Sequence, residues 1–310
     1  MIDFHCDVLC KLLDDDRLDF AAGSDGLDVT FPRLKAAGSL LQTFAVYIPE
    51  RQHGGMTPVW RSIDLFYRKV LSIPGIRLIR SAADLEAAGR ERQIGALLSL
   101  EGVDRLDGDL TLLRILYRLG VRAVGLTWNH ANWAADGVME PRGAGLTGKG
   151  KEFVRECQRL GIIVDVSHLS EAGFWDVCDL AGRPFIASHS NARSVCDHPR
   201  NLTDDQIRAI IAVDGRIGMT FVPWFVRPVA PVTTDDLLRH IEHVCALGGD
   251  RHIMLGSDFD GIDRHMEDLR SPEDVWRLKE ALLKRYSAEQ TERFFSGNAL
   301  RYLTAMLPAT

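Results

Sequence analysis

Histidine and carboxylate side chains recur at the ends of short apolar runs along this chain. The first run, IDFHCDVL, carries His5 and Asp7 two residues apart. Later runs of the same kind end in a glutamate, two histidines and an aspartate: Glu101, His168, His189 and Asp258. Imidazole nitrogens and carboxylate oxygens are donors that bind Zn²⁺ and similar divalent ions. These residue types therefore indicate hydrolysis assisted by metal ions.

An isolated His-x-Asp pair is a weak signal, because such a pair is usually a hydrogen-bonded polar pair or part of a turn. Five metal-ligand types at four run ends, with Asp258 at a fifth, are harder to explain as structural features. Burying so many polar groups without a metal or a polar ligand would cost free energy. We predict one site in which five ligands hold two ions, one carboxylate bridges them, and Asp258 carries protons. Two ions about 3.5 to 4 Å apart can hold a hydroxide between them and polarise a carbonyl.

Eight apolar, β-branched runs alternate with segments of helical periodicity. The runs are MIDFHCDV, SLLQTFAVYI, IGALLSL, VRAVGLT, GIIVDVSH, RPFIASHS, GRIGMTFV and RHIMLGSD. Buried strands that alternate with helices are typical of a parallel sheet covered on both faces. Eight such units predict an α/β fold, a single TIM-like (β/α)8 barrel domain over residues 1–310. Active sites of such barrels lie at the C-terminal ends of the strands, where the candidate ligands fall.

Some segments exceed the minimal repeat. Residues 8–37 and 49–93 form long connections, and the second contains two helical patterns, PVWRSIDLFYRKVLS and SAADLEAAGRER. The segment from Pro272 to about Leu303 predicts two extra C-terminal helices. Within the first strand, residues two apart share a face. His5 and Asp7 are therefore expected to end that strand and point into the barrel mouth, with Cys6 directed toward the helices.

Other histidines are weaker candidates. His240 and His243 lie on a predicted helix and are expected to flank its buried apolar stripe, so neither is predicted to bind metal. His198 adjoins Arg200 in a loop after the sixth run, where lining a pocket and a purely structural role are equally open.

Composition bears on partners and location. The net charge is −6, and no basic block is interleaved with aromatic residues, which disfavours nucleic acid and a basic membrane surface as partners. No basic region precedes an apolar stretch near the start, so neither a signal peptide nor a membrane span is expected. The six cysteines form no C-x-x-C pair, which predicts free thiols and a cytoplasmic location. A homodimer is the assembly favoured by base rate.

The motifs resemble the membrane (renal) dipeptidases, zinc metallopeptidases with a TIM-like barrel, and in particular their shorter bacterial members. The similar segments cover nearly the whole chain: IDFHCDVL, LSLEG, LTWNHANWAADG, GIIVDVSHLSEAGFWDV, PFIASHSNARSVCDHPRNLTDDQIRAI, LGSDFDGI and SGNALRYL. The resemblance implies that His5 and Asp7 hold one zinc ion and that His168 and His189 hold a second. It also implies that Glu101 bridges both ions and is catalytic.

The resemblance implies further roles outside the metal ligands. Arg200, in HPRN, would bind the free carboxylate of a dipeptide, which suits the planar guanidinium. Asp258 matches the catalytic aspartate of the family. Eukaryotic members carry a substrate-binding histidine directly after LT, a position that Trp128 occupies here, and the nearest histidine is His130. The implied function is hydrolysis of dipeptides by a metal-bridging hydroxide. Whether a D-residue is accepted at the C-terminal position stays open.

Two alternatives remain at this stage. An amidohydrolase-like enzyme could cleave another small amide, ester or lactone, but many such barrels use His-x-His and a modified lysine, whereas this chain offers His-x-Asp and Glu101. A barrel that only binds a ligand would usually have lost metal-ligand residues, and here all five are present. Zinc is expected from the ligand types, although cobalt or manganese could support the same chemistry.

Overall fold

Eight parallel strands close into a barrel, which confirms the predicted fold class. The computed structural model describes residues 1–310. Its strands are β1 Ile2–Asp3, β2 Leu41–Tyr47, β3 Ile76–Leu78, β4 Ile94–Glu101, β5 Val121–Gly125, β6 Ile163–Asp165, β7 Ile186–Ala187, β8 Arg216–Met219 and β9 Ile253–Leu255. The sheet closes because β1 pairs with both β2 and β9 and because β2 pairs along its length with β4.

The strand β3 lies outside the barrel and was not predicted. It pairs with the first residues of β4, from Ile94 to Ala96, whereas β5 pairs with β4 from Leu98 onward. The strands β3 and β5 therefore pair with successive segments of the same edge of β4. A run of three paired residues is too short to show alternation in the sequence, which explains why this strand was missed.

Helices surround the barrel and fill the long connections. They are α1 Val8–Asp14, α2 Phe31–Ala36, α3 Thr57–Leu65, α4 Ala82–Glu91, α5 Leu110–Arg118, α6 Gly148–Leu160, α7 Glu171–Leu180, α8 Asp204–Ala212, α9 Pro223–Val226, α10 Thr234–Ala246, α11 Val275–Leu283, α12 Ala288–Glu292 and α13 Asn298–Met306. The two helices predicted within residues 49–93 are confirmed as α3 and α4. The predicted C-terminal pair is also confirmed. Its first member is α11, and its second member is formed by α12 and α13, which the π-helical residues Arg293–Gly297 join. None of the helices combines the length and apolar character needed to cross a bilayer.

The barrel interior is an apolar core that is closed at one end by α13. Ile2, Leu97 and Met254 from the strands form one buried cluster with Tyr302 and Met306 of α13. The carbonyl of Asn298, at the start of this helix, accepts a hydrogen bond from the buried guanidinium of Arg216 at 3.1 Å. Because Arg216 begins β8, α13 covers the N-terminal ends of the strands. The opposite, C-terminal end is therefore free to form a site.

His240 is fully buried, so the expectation that it flanks the apolar stripe of α10 is wrong. Its Nδ1 accepts a hydrogen bond from the backbone N–H of Ala192 at 3.1 Å, and its Nε2–H donates to the carbonyl of Val226 at 2.9 Å. These two bonds join α10 to the loop after β7 and to α9. Burial of the ring is tolerated because both nitrogens of the neutral imidazole are satisfied.

This burial predicts a pH-dependent stability. Burial lowers the pKa of His240 from about 6.5 to about 4. The unfolded chain therefore takes up a proton at a higher pH than the folded protein, and stability is lost as the pH falls through this interval. The difference corresponds to about 3 kcal/mol of unfolding free energy.

Urea unfolding of the wild type and of His240→Gln between pH 7 and pH 4 tests this effect. We expect the variant to be less stable near neutral pH but to lose less stability on acidification. The exposed His53 provides the matched control His53→Gln, which should follow the wild type. Identical pH profiles for all three proteins would contradict the prediction.

Candidate active site

The predicted ligands gather at the C-terminal end of the barrel, but only Glu101 is itself the last residue of a strand. Regular pairing in β1 ends at Asp3, so His5 and Asp7 lie beyond the strand that they were expected to end. The segment is held by an extension of β9, because the Asp7 N–H donates to the carbonyl of Phe259 at 2.9 Å. Cys6 is fully buried in the core shared with the helices, as predicted.

The first donor group consists of His5 and Asp7. The Nε2 atom of His5 lies 3.3 Å from Oδ2 of Asp7 and 3.5 Å from Oε2 of Glu101. Neither Nε2 of His5 nor Oδ1 of Asp7 has a hydrogen-bond partner, although both atoms are buried. Buried polar atoms without partners are rare in folded proteins, and here they belong to two side chains that meet each other, with Glu101 beside them.

The second donor group consists of His168 and His189. Their Nε2 atoms lie 2.9 Å apart, and Oε1 of Glu101 lies 2.8 Å from the Nε2 of His168 and 3.8 Å from that of His189. His168 reaches this position from a left-handed backbone conformation, with φ of 73°. The two oxygens of Glu101 therefore face different donor groups.

Hydrogen bonds at the far sides of both rings decide which nitrogen carries the proton. The Nδ1–H of His168 donates to Oδ1 of Asn129 at 2.8 Å. The Nδ1 of His189 lies 2.7 Å from Oγ of Ser188, whose own proton is donated to Asp165 at 2.5 Å. The hydroxyl must therefore accept from His189. Both Nε2 atoms are left as lone pairs that face each other.

Two imidazole lone pairs at this separation repel each other unless a cation lies beside them. With the unpartnered atoms of His5 and Asp7, this is direct support for a metal site. Two triplets of donor atoms each fall within 4.8 Å of one another: His5 with Glu101 and His189, and His5 with Asp7 and Asp258. The residues present therefore fit divalent ions that take nitrogen and oxygen ligands.

The charges of the site reflect its burial. Burial raises the pKa of Glu101, with His5 opposing the effect, and it also raises the pKa of Asp258. Burial acts to lower the pKa of His5, but the surrounding carboxylates outweigh it and the pKa rises. Burial lowers the pKa of His168 and of His189 well below the usual range. These two rings are therefore neutral, which is the form that binds metal ions.

Asp258 lies at the edge of the cluster. Its Oδ1 is 3.8 Å from the Nε2 of His5, and its side chain is 15% exposed compared with 9% for Glu101. Its backbone is left-handed, with φ of 67°. Gly261 follows closely, and a Cβ there would collide with the carboxylates of Asp7 and Asp258. Only glycine therefore lets the chain pass so close to both groups.

Arg200 is a buried cation with almost no partner. It is 4% exposed, its Nε has no hydrogen-bond partner, and its Nη2 donates only a long bond of 3.4 Å to the carbonyl of His189. Burial lowers the pKa of Arg200 to about 10, an effect that Asp258 and Glu101 partly offset. The group therefore stays charged at neutral pH. An unpaired buried charge is costly, and a carboxylate ligand would satisfy it.

The cluster opens into a cavity of about 440 Å³, a size typical of small-molecule sites. Apolar and acidic side chains both contribute to its walls: Val222, Trp224, Phe225, Ile262, Asp14, Asp260 and Asp263. His198 also lines it, and its Nδ1 accepts a hydrogen bond from the backbone N–H of Arg200 at 3.2 Å. The sequence left open whether His198 lines a pocket, and in the structure it does.

His130 does not line the main cavity. Its side chain is exposed and lines an adjoining cavity with Glu50 and Arg105, and Glu101 and Trp128 contribute to the walls of both cavities. The backbone turns after Asn129, because the carbonyl of His130 accepts a hydrogen bond from Gly137 at 3.2 Å. His130 is therefore outside the cavity that contains Arg200 and Asp258, although Glu101 borders both cavities.

Several site residues were missed by sequence reasoning. Asn129 and Ser188 hydrogen-bond to His168 and His189, Asp165 accepts the hydroxyl of Ser188, and Gly261 lies against the carboxylates of Asp7 and Asp258. A signal existed for Asp165, which is a charged residue within the apolar run GIIVDVSH. Nothing in the residue type distinguishes Asn129 or Ser188 from an ordinary loop residue.

Several known proteins are similar to this chain in sequence and in architecture. The family model for membrane dipeptidase, peptidase family M19, matches residues 1–307. Dipeptidase tcpJ of Claviceps purpurea (strain 20.1) is 32% identical over 256 residues, which cover 81% of this chain and 60% of that protein.

Two solved structures superimpose on nearly the whole chain. A metallo peptidase from Rhodobacter sphaeroides, liganded with a phosphinate mimic of the dipeptide L-Ala-D-Ala, matches with a TM-score of 0.91 and 25% identity over 98% of both chains. Dipeptidase AC, a metallo peptidase of family M19, matches with a TM-score of 0.90 and 26% identity, covering 100% of this chain and 98% of that one. The chain therefore belongs to the membrane dipeptidase family, peptidase family M19, whose members are metal-dependent dipeptidases.

Proposed function

We propose that this protein is a binuclear zinc dipeptidase that accepts dipeptides with a D-residue at the C-terminal position. The observation that carries the binuclear proposal is the orientation of Glu101, whose Oε2 faces His5 and whose Oε1 faces His168. A carboxylate placed in this way can be shared by two ions. The proposal for D-residues rests on the Rhodobacter structure, which contains a mimic of L-Ala-D-Ala.

In this proposal His5 and Asp7 hold one ion, His168 and His189 hold the other, and Glu101 is common to both. When bound, the two ions would polarise the scissile carbonyl and make a water molecule nucleophilic at neutral pH. Zinc is favoured because the donors are imidazole and carboxylate, and cobalt or manganese are the alternatives.

The remaining residues bind the substrate and move the proton. Arg200 binds the terminal carboxylate, because its guanidinium is buried and charged at the cavity wall and makes only one long hydrogen bond within the protein. Asp258 takes the proton of the attacking water on its carboxylate and delivers it to the nitrogen of the leaving amine. Its greater exposure to the cavity favours this role over that of a metal ligand. No role is proposed for His130, because its exposed ring lines an adjoining cavity rather than the one that contains Arg200 and Asp258.

A panel of L,L and L,D dipeptides, assayed for amino-acid release, tests the reaction. We expect cleavage with added zinc, complete loss of activity with a chelator, and recovery when zinc is restored. Dipeptides with an amidated C-terminus serve as the matched control, since they offer Arg200 no carboxylate. No release of amino acids from folded, zinc-loaded protein would contradict the proposal and favour another small amide, ester or lactone as substrate.

The expected cytoplasmic location and homodimeric state belong to the same proposal. The location is supported by the six cysteines, all of which are free thiols, as predicted. Light scattering of the purified protein measures the assembly directly.

A further inference from the structure

Asp165, the last residue of β6, is fixed by three hydrogen-bond donors. Its Oδ1 accepts the backbone N–H groups of Ser167 at 3.0 Å and of Ser188 at 2.9 Å, and its Oδ2 accepts the hydroxyl of Ser188 at 2.5 Å. The two backbone donors determine which oxygen faces which neighbour. The oxygen directed at the Ser188 hydroxyl can therefore act only as an acceptor.

This arrangement sets the direction of a chain of hydrogen bonds that ends at His189. Because the Ser188 hydroxyl has a single proton and gives it to Asp165, its oxygen receives the Nδ1–H of His189 at 2.7 Å. The proton of the neutral ring is then on Nδ1. The lone pair is on Nε2, the atom directed toward Glu101 and His168.

We propose that Asp165, acting through Ser188, is a positioning residue that holds His189 in the tautomer competent to bind metal. The inference rests on the proposed function only in naming a metal as the partner of Nε2. Neighbours that fix the tautomer of a metal-binding histidine typically contribute about 10- to 100-fold to metal affinity.

The substitution Asp165→Asn reverses the direction of these hydrogen bonds with little change in the shape of the side chain. The side-chain oxygen of Asn would keep the two backbone donors of Ser167 and Ser188, so its NH₂ group would face the Ser188 hydroxyl. That hydroxyl would then accept from Asn and donate to Nδ1 of His189. The ring proton would move to Nε2, where it opposes metal binding.

Two measurements on the full-length protein test the inference. The first uses ¹⁵N histidine NMR of the metal-free protein, in which we expect the His189 proton on Nδ1 in the wild type and on Nε2 in Asp165→Asn. The second uses zinc alone in competition with a chromophoric chelator, and we expect affinity at one site to fall about 10- to 100-fold in Asp165→Asn. Ser188→Thr keeps the hydroxyl and should retain near wild-type affinity.

Ser190→Ala is the matched control, because the Ser190 hydroxyl is buried nearby but bonds to Ser167 at 3.3 Å rather than to the ring. It should leave both readouts unchanged. If Asp165→Asn does not fold, Ser188→Ala interrupts the same chain and should also weaken zinc binding while Ser190→Ala does not. An unchanged tautomer and unchanged zinc affinity would overturn the inference. A wild-type protein that binds no zinc would overturn the proposed function, and the NMR measurement would still decide the role of Asp165.

Discussion

Replacing Arg200 with alanine is expected to lower kcat/KM for dipeptides about 100-fold, mainly through KM. The guanidinium is buried and lacks other strong partners, so the substrate carboxylate would be its principal ligand. Truncating one member of a buried, hydrogen-bonded charge pair costs about 2 to 5 kcal/mol. Steady-state kinetics with one well-cleaved dipeptide measure the loss.

Two controls separate carboxylate binding from a general defect. Arg200→Lys keeps the charge but not the planar fork, so it should recover only part of the affinity. The amidated dipeptide should be a poor substrate for the wild type, and Arg200→Ala should no longer discriminate against it. Equal KM values for wild type and Arg200→Ala would show that another residue binds the carboxylate. The melting temperature should not fall, because the substitution removes a buried charge that lacks a partner.

Replacing Asp258 with asparagine is expected to lower kcat by about 10² to 10⁴, which is the usual contribution of a general acid–base group. The amide is nearly isosteric but cannot take up and release the proton. Because Asp258 is proposed to carry protons rather than to bind metal, the variant should retain its full zinc content. Metal analysis of the purified variant alongside its kinetics measures both quantities.

These measurements distinguish proton transfer by Asp258 from metal binding by Asp258. The geometry allows both roles, since His5, Asp7 and Asp258 form one of the two donor triplets. Loss of one zinc ion in Asp258→Asn would identify Asp258 as a ligand. Retention of both zinc ions with nearly normal kcat would exclude a proton-transfer role. Asp14→Asn, at an exposed acid of the same cavity, is the matched control and should leave kcat unchanged.

Much of the fold follows from local sequence pattern. All eight barrel strands coincide with the apolar runs, apart from Glu101 at the end of β4, because strands buried on both faces need continuous apolar residues. The catalytic end could also be located, since Glu101, His189 and Asp258 lie at or within three residues after the ends of β4, β7 and β9. Local sequence pattern does not predict a strand whose formation depends on tertiary contacts. The strand β3 is an example, since it forms by pairing with a free segment of the edge of β4.

The site was predicted less completely than the fold, for the same reason. His5 and Asp7 converge through bonds to the β9 extension rather than through strand alternation. His240 is buried because two distant backbone groups satisfy its ring. Ser188 and Asn129 each make one hydrogen bond to a candidate ligand histidine, and residue type alone does not signal such contacts. For His130 the sequence suggested a substrate-binding role, whereas the ring lines an adjoining cavity that shares Glu101 and Trp128 with the main one.

The binuclear proposal is tested most directly by titrating zinc into the metal-free protein. The rate of dipeptide hydrolysis and the amount of bound zinc are measured in the same samples. We expect hydrolysis of an L,D or L,L dipeptide to reach its maximum when two zinc ions are bound per chain. Full activity with a single bound ion would contradict the binuclear site. Two bound ions without dipeptide hydrolysis would contradict the proposed reaction.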